Sequence, residues 1–244
     1  MARIFITGSS DGLGHLAAKS LIEQGHKVVL HARNNERASD AVKKTTGAEN
    51  VVIGDISDPD QTVKLAEQVN QLGNFDAVIH NAGVYRTAAS DIFHINTLAP
   101  YTLTCLINKP KRLIYLTSGL HSQGQPKLES FKNNVNRINY SDSKLHVLLL
   151  CFAAARYWPD VYSNAVNPGW VPTRMGGSGA PDNLQKGYET QVWLSVSNDE
   201  NAKVSGEYFF HKKPGHHNPI ADDIELQDKF LSVCREITGI PFPG

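Results

Sequence analysis

The chain has 244 residues, 41% of them hydrophobic, and its 24 Lys and Arg residues are balanced by 24 Asp and Glu residues. This length suits one large α/β domain with a substantial core. Because neither sign of charge forms a long block, a nucleic-acid surface and a polybasic membrane anchor are both disfavoured. We expect a single domain over residues 1–244 that takes a small neutral or amphipathic substrate.

The cysteines and the apolar runs indicate the compartment. Cys105, Cys151 and Cys234 are odd in number and widely spaced, which favours free thiols in a reducing environment. The N-terminus leads directly into the β-type run of residues 2–7, which leaves no room for a signal peptide. The longest apolar run, residues 147–155, is far shorter than the roughly 20 residues needed to cross a bilayer. A cytoplasmic protein without membrane contact is expected.

The first pattern along the chain is a short strand, a glycine-rich turn and a helix. Residues 4–7 are followed by Gly8, Gly12 and Gly14, and apolar residues then recur at helical spacing up to Gly25. Glycines allow positive φ and close backbone approach, and a helix N-terminus offers free N–H groups to a pyrophosphate. One glycine would suffice for an ordinary turn, whereas three at this spacing favour dinucleotide binding.

The end of the second strand, residues 27–31, indicates which dinucleotide binds. In a dinucleotide fold, this end lies beside the adenosine ribose, where an acidic residue suits NAD and a basic one suits the 2′-phosphate of NADP. The sequence carries Arg33 there, and residues 32–35 contain no Asp or Glu. NADP(H) is therefore the favoured cofactor. NAD(H) is the alternative, because an ordinary surface arginine would also explain the pattern.

Further strands are predicted at residues 50–53, 75–80, 112–117 and 161–166, and they alternate with helical segments. A helix over about residues 89–107 connects the fourth and fifth strands. Short apolar strands that alternate with helices are typical of a parallel sheet with helices on both faces. We therefore predict one doubly wound Rossmann-type α/β domain with a seven-stranded parallel sheet.

Tyr140 and Lys144 begin the longest apolar helix and are candidates for proton transfer. Four residues apart on a helix, they lie one above the other on the same face. A phenol has a reference pKa near ~10, and a nearby ammonium favours the phenolate, which brings the group nearer its working range. Tyr-x-x-x-Lys alone is also a common surface pattern, so the other motifs decide its meaning.

Those motifs occur together in a fixed order. They are Thr7-Gly8-x3-Gly12-x-Gly14, Asp55, Asn81-Ala82-Gly83, Asn96, Ser118, Tyr140-x3-Lys144 and Pro168-Gly169-x-Val171-x-Thr173. With them, the sequence resembles the short-chain dehydrogenase/reductase family along nearly its whole length. The form Tyr-Ser-Asp-Ser-Lys is most similar to the branch with retinol-dehydrogenase-like and protochlorophyllide-reductase-like members. The resemblance implies an NAD(P)-dependent oxidoreductase, such as a carbonyl reductase, that interconverts a carbonyl and an alcohol.

The resemblance also implies a catalytic role for four residues. Tyr140 would exchange a proton with the substrate oxygen, and Lys144 would lower the tyrosine pKa and hold the nicotinamide ribose. Ser118 would hydrogen-bond the same oxygen and stabilise its developing charge. Asn96 would support a water that links Lys144 to solvent. The hydride chemistry belongs to the cofactor, while the protein aligns and polarises the reactants.

A cofactor-binding set follows from the same resemblance. The glycines of the first turn would hold the pyrophosphate, Asp55 would meet the adenine, and Thr173 would contact the nicotinamide carboxamide. The full set is Gly8, Ser10, Gly12, Leu13, Gly14, Arg33, Asp55, Ile56, Asn81, Ala82, Gly83, Tyr140, Lys144, Pro168, Gly169, Val171 and Thr173. These positions fall at C-terminal strand ends or on the helices that follow, where an open α/β sheet binds ligands.

Two features depart from the common family pattern. His80 stands where an Asn often precedes Asn81, and we expect it to make a structural hydrogen bond. The segment between Asn96 and the fifth strand is short. This shortening puts the family's usual tetramer in doubt and leaves a homodimer possible.

Other candidates lie outside these motifs. His211, His216 and His217 have no acidic or Cys partner at a recognised ligand spacing, so no metal site is predicted. His121 follows the fifth strand and is a better functional candidate, although a structural role is the simpler interpretation. Residues 173–190, which include a glycine-rich stretch, are interpreted as a substrate lid rather than a plain connecting loop.

Three hypotheses about function follow. The first is an NADPH-preferring oxidoreductase for a small carbonyl or alcohol. The second is a regulatory or scaffold protein that binds NADP(H) without turnover, although binding alone does not require the whole catalytic set. The third is a reductase of a C=C bond with the same fold. The sequence does not reveal the substrate, the direction of reaction, the oligomeric state or the strictness of the cofactor preference.

Overall fold

A computed structural model describes all 244 residues, and its centre is one eight-stranded sheet. The strands are β1 (Arg3–Ile6), β2 (Lys27–Ala32), β3 (Asn50–Ile53), β4 (Ala77–His80), β5 (Arg112–Leu116), β6 (Tyr162–Asn167), β7 (Glu207–Phe210) and β8 (Lys213–Pro214). Their order is β3-β2-β1-β4-β5-β6-β7-β8, and β1 to β7 pair in parallel. This order confirms the predicted doubly wound Rossmann-type fold.

The eighth strand is a small addition to the seven predicted. β8 is two residues long and pairs antiparallel with β7 at the edge of the sheet. His211 and Lys212 connect the two strands, and both have positive φ, at 50° and 62°. Two-residue hairpin turns favour this backbone conformation, usually with Asn or Gly. The sequence has neither residue there, so the hairpin carried no recognisable signal.

Helices cover both faces of the sheet. They are α1 (Gly12–Glu23), α2 (Asn35–Lys44), α3 (Pro59–Gln71), α4 (Ala89–Phe93), α5 (Ala99–Leu106), α6 (Ser130–Asn133), α7 (Tyr140–Tyr157), α8 (Leu184–Val196) and α9 (Ile224–Thr238). Side chains alternate along each strand, so Phe5 belongs to one apolar core and Ile4 and Ile6 belong to the other. The two cores fix the sheet between the helical layers.

The predicted helix over residues 89–107 is interrupted in the structure. One π-helical turn, His94–Leu98, separates α4 from α5 and contains Asn96. Pro100 has no N–H, so the carbonyl of Asn96 lacks the donor that an α-helix would place four residues further on. A π turn accommodates this break, and such turns are frequent at functional sites. Helical periodicity alone did not reveal it.

The outer face of α7 is covered by the C-terminal part of the same chain. The hydroxyl of Tyr101 donates to the carbonyl of Ile240 at 2.7 Å, and the indole N–H of Trp158 donates to the carbonyl of Pro243 at 2.6 Å. Phe230 of α9 stacks on His146 of α7, with ring centroids 5.8 Å apart. A homodimer would therefore have to use a surface other than this face of α7.

Two findings concern membranes and metals. None of the helices combines the length and the apolar character that crossing a membrane requires. No three side chains of His, Cys, Asp or Glu are grouped so as to hold a metal ion. Within the C-terminal histidine cluster, His217 pairs instead with Asp222, at 2.9 Å between Nε2 and Oδ1.

Candidate active site

A cleft of about 640 Å³ lies at the carboxyl ends of the parallel strands. Its volume falls within the range of roughly 300–1,000 Å³ that ligand sites occupy. Most of the predicted cofactor-binding residues line it. They are Gly8, Ser10, Gly12, Leu13, Arg33, Asp55, Ile56, Asn81, Ala82, Gly83, Tyr140, Lys144, Pro168 and Thr173. The topology thus brings together in space the motifs that are scattered along the sequence.

Gly14, Gly169 and Val171 do not line the cleft. A Cβ on Gly14 would lie 2.4 Å from Nδ2 of Asn81, so α1 packs against the end of β4 only because this residue has no side chain. Gly169 has a φ of +82°, and a Cβ there would lie 2.6 Å from Oδ2 of Asp182. Gly14 and Gly169 thus allow close packing in the segments next to the cleft.

The glycine turn suits a pyrophosphate. Gly8 and Gly12 have φ values of +63° and +58°, and a Cβ on Gly12 would meet nothing within 4 Å. Open space at the start of α1 lets a phosphate approach the backbone and the positive end of the helix. The Asp11 carboxylate, however, already accepts the Gly12 N–H at 2.8 Å, so the turn has one donor fewer to offer.

The side chains of two residues join the glycine turn to neighbouring strands. Nδ2 of Asn81 donates to the carbonyls of Thr7 and Gly8, at 3.0 and 3.2 Å. Nδ1 of His31 accepts the Gly8 N–H at 2.9 Å, and its Nε2 donates to the Gly54 carbonyl at 2.8 Å. This residue was not predicted from the sequence. A buried polar residue near the end of an apolar strand was the only signal for it.

The adenosine end of the cleft contains two arginines. Arg33 follows β2, and Arg37 lies further on, in α2; both side chains line the cleft with Asp55. The Asp55 carboxylate is engaged locally, since it accepts from the N–H and the hydroxyl of Ser57 at 3.0 and 2.7 Å. Neither guanidinium forms an ion pair within the chain. Arg37 was not predicted from the sequence, because Arg33 precedes the helix and no helical spacing relates the two residues.

Tyr140 lines the cleft, and the side chain of Ser118 lies near its hydroxyl. Burial raises the pKa of Tyr140 to about 12, against the lowering effect of the Ser118 side chain, and the nearby Tyr85 raises it further. The sequence predicted a lowering by Lys144, whose Nζ lies 5.5 Å from the centre of the tyrosine ring. In the free protein, burial is the stronger effect and keeps Tyr140 protonated at neutral pH.

Lys144 is buried beneath Tyr140. Its Nζ donates to the carbonyl of Leu116 at 2.8 Å, and burial lowers the pKa of the ammonium to about 8. A Cβ on Gly83 would lie 3.2 Å from this Nζ and 3.4 Å from Oδ1 of Asn96. Gly83 therefore leaves the space that the ammonium occupies.

Asn96 is 1% exposed and does not line the cleft. Its Oδ1 accepts the N–H of Val84 at 2.8 Å, and its Nδ2 donates to the carbonyl of Val84 and to the hydroxyl of Ser143, both at 3.0 Å. The side chain therefore has a fixed orientation between the segment after β4 and the helix that carries Tyr140 and Lys144.

The substrate side of the cleft has an aromatic wall. The ring of Tyr85 meets the ring of Tyr140 edge-on, with centroids 4.8 Å apart, and the guanidinium of Arg86 lies 5.1 Å from the centre of the Tyr85 ring. Ile95 and Met175 line the same cleft. Tyr85 was not predicted from the sequence. Its position just after Asn81-Ala82-Gly83 was the available signal.

Asp142 secures the start of α7, the helix that carries Tyr140 and Lys144. Its carboxylate accepts from the N–H groups of Gln125 and Asn139, at 2.8 and 2.9 Å, and from Nζ of Lys127 at 2.8 Å. Asn139 completes the capping box by accepting the N–H of Asp142 at 3.0 Å. Asp142 is 1% exposed and thereby fixes the segment before α7 beside Tyr140.

Replacing Asp142 with Ala is expected to lower the free energy of unfolding by about 3 kcal/mol, because three donors would lose the buried carboxylate that they share. The measurement is chemical denaturation of both proteins. Asp160→Ala is the control: its carboxylate pairs with Lys109 at 2.8 Å on the surface, so little change is expected. Equal losses in the two variants would show that the Asp142 network contributes no special stability.

The comparisons with known proteins agree with this geometry. The family model for short chain dehydrogenases matches residues 2–109. Uncharacterized oxidoreductase AN7799 of Emericella nidulans is 43% identical, and the short-chain dehydrogenase chyC of Penicillium rubens is 40% identical; each alignment covers all of both chains. Retinol dehydrogenase 13 of Homo sapiens is 24% identical over 99% of this chain and 86% of its own length.

A solved structure shows the same fold. A blue fluorescent protein from a metagenomic library, in complex with NADPH, matches with a TM-score of 0.70 and 21% identity, covering 85% of this chain and 95% of that one. Together with the full-length relatives, the fold and the cleft define the class of protein. The chain belongs to the short-chain dehydrogenase/reductase family of oxidoreductases, in its retinol-dehydrogenase-like branch. This family binds nicotinamide cofactors and acts on small molecules.

Proposed function

We propose that the protein is an NADPH-preferring oxidoreductase that interconverts a carbonyl and an alcohol. Tyr140, Lys144, Ser118 and Asn96 are its proposed catalytic residues. The observation that carries the proposal is that Tyr140 and the buried Lys144, whose Nζ lies 5.5 Å from the centre of the tyrosine ring, both line a cleft that also has the features of a dinucleotide site. The Ser118 side chain lies near the Tyr140 hydroxyl, and the two hydroxyl groups would bind the same substrate oxygen.

The cleft fits NADP(H) at both ends. Gly12 leaves open space at the start of α1 for a pyrophosphate, and the unpaired guanidinium groups of Arg33 and Arg37 suit a 2′-phosphate. Thr173 lines the opposite end, where the nicotinamide carboxamide would lie. When bound, the cofactor supplies or accepts the hydride. NADPH in a structural neighbour supports this choice, with NAD(H) as the alternative.

The protein's own residues would handle the proton. Burial keeps Tyr140 protonated, so its hydroxyl can donate to a carbonyl oxygen while Ser118 hydrogen-bonds the same oxygen. The buried Lys144 ammonium would then stabilise the phenolate that remains. With a pKa of about 8, Lys144 can also bind and release a proton near neutral pH. Asn96 would hold the neighbouring backbone in place during this exchange.

We propose a substrate lid in the first part of the predicted segment 173–190. Leu184–Val196 form α8, so the movable part would be residues 173–183. Met175 lines the cleft, and the indole N–H of Trp170 donates to the carbonyl of Gly176 at 2.8 Å. Trp170 is 59% exposed and would lose that exposure on closure. The cytoplasmic location and the homodimer stay predictions.

The test is NADPH oxidation by the purified protein against a panel of aldehydes, ketones, quinones, retinoids and α,β-unsaturated carbonyls, with identification of each product. Formation of an alcohol is expected. A product with a saturated C=C bond and an intact carbonyl would favour the C=C reductase instead. Tight NADPH binding without turnover of any substrate would argue for the regulatory or scaffold protein.

A further inference from the structure

His121 is a buried histidine close to the catalytic residues, and the proposed proton transfer does not use it. It lies three residues after Ser118, in the 3₁₀ turn Gly119–Gln123, and is 2% exposed. Its side chain does not line the cleft. Its two ring nitrogens nevertheless both form hydrogen bonds, and these bonds join two distant parts of the chain.

The partners of His121 define its tautomer. Nδ1 lies 2.6 Å from the carbonyl oxygen of Ser118, which can only accept, so Nδ1 carries the hydrogen. Nε2 lies 3.1 Å from the backbone nitrogen of Asn218, whose N–H can only donate, so Nε2 is the acceptor. The ring is therefore neutral, which agrees with burial lowering the pKa of His121.

Packing holds the ring in this orientation. The centroid of the His121 ring lies 4.9 Å from that of Tyr208 in β7. Tyr208 lies near the side chain of Asn167, at the end of β6. Oδ1 of Asn167 accepts the N–H of Gly169 at 2.9 Å. The His121 ring is thus held between the turn after β5 and strand β7.

The consequence for Ser118 is geometric. Its backbone is extended, with φ −161° and ψ 154°, and its Oγ accepts the N–H of Leu120 at 3.3 Å. The carbonyl that binds His121 belongs to the same residue, so holding it fixes the peptide plane from which the Ser118 hydroxyl projects toward Tyr140. A rotation of this plane would move the hydroxyl, and misplacement by about 1 Å can cost about 100-fold in rate.

We propose that His121 is a positioning residue: the Nδ1–H of its neutral imidazole holds the Ser118 carbonyl and thereby keeps Ser118 in register with Tyr140. The Asn218 N–H contributes by fixing the tautomer in which Nδ1 carries this hydrogen. The inference rests on the proposed catalytic role of Ser118.

Three substitutions separate the two hydrogen bonds. H121N keeps a donor near the Ser118 carbonyl, H121Q places its amide near Asn218, and H121F keeps the ring packing on Tyr208 but makes neither bond. We expect kcat to fall roughly 10- to 100-fold in H121F and H121Q and much less in H121N. KM for NADPH should stay near the wild-type value in all three. Similar kcat values in H121N and H121F would overturn the proposal.

A double-mutant cycle tests whether His121 acts through Ser118. In an S118A background, H121F should cause little further loss of kcat, because the positioned hydroxyl is already absent. Independent, multiplicative losses would reject the positioning role while leaving the proposed function intact. If S118A alone kept full activity, the proposed catalytic role of Ser118 would itself fail. Each variant is compared by thermal melting, and H121Q serves in place of H121F if the latter does not fold.

Discussion

Replacing Tyr140 with Phe is expected to lower kcat by at least ~100-fold, since a positioned general acid typically contributes about 10²- to 10⁴-fold. Phe keeps the ring contact with Tyr85 and removes only the hydroxyl, which burial holds in its protonated form. The NADPH dissociation constant should change little, because the rest of the cleft is untouched. Steady-state NADPH oxidation and fluorescence titration with NADPH measure the two quantities.

Tyr85→Phe is the matched control for that experiment. It also removes one phenol hydroxyl, from the ring that meets Tyr140 at 4.8 Å in the same cleft. Because Tyr85 lies outside the proposed path of the proton, its variant should keep most of the turnover. Full activity of Tyr140→Phe would reject the role of Tyr140, and equal losses in both variants would indicate a general disturbance of the cleft.

Most of the residues predicted to bind the cofactor line one cleft, and the sequence could place them because their signals are local. Gly8 and Gly12 occupy a turn with positive φ, and Arg33 follows directly from the end of β2. Parallel strands then bring such strand-end residues to one edge of the sheet without further information. The contact between Gly14 and Asn81 was not readable, although each residue was predicted to belong to the site.

The residues that were missed depend on long-range contacts. His31 joins Gly8 to Gly54, and Tyr85 packs against Tyr140, more than fifty residues away in sequence. Local patterns cannot show such pairs. The pKa of Tyr140 is a related case, because the sequence shows a nearby lysine but not the degree of burial, which has the larger effect.

The structural hydrogen bond predicted for His80 is present, and it shows how a departure from the family pattern is accommodated. Nε2 of His80 lies 3.2 Å from the hydroxyl of Thr104, and its ring stacks on Tyr115 with centroids 4.7 Å apart. The π turn at Asn96 had one usable signal, Pro100, because a proline removes a helical donor at a known position. The π turn thus had a local signal, whereas the contacts of His80 depend on residues far from it in the sequence.

Replacing Arg33 and Arg37 together with Ala is expected to weaken NADPH binding by roughly 100-fold, since a charge-assisted phosphate contact is among the stronger hydrogen bonds. Both guanidinium groups line the adenosine end of the cleft, and NADH lacks the 2′-phosphate that they would bind. NADH affinity should therefore change little. The test is to titrate the protein with each cofactor at low and high salt and to compare the dissociation constants. The dissociation constant of NADPH should depend more strongly on salt than that of NADH.

Arg174→Ala is the control for the loss of positive charge in the cleft. Arg174 lines the same cleft but follows Thr173, at the end where the nicotinamide would lie. Its loss should affect NADPH and NADH to a similar degree, because the two cofactors are identical there. If the Arg33 and Arg37 double variant weakened both cofactors equally, the two arginines would contribute only general electrostatic attraction. Equal wild-type affinities for NADPH and NADH would remove the basis for an NADP preference altogether.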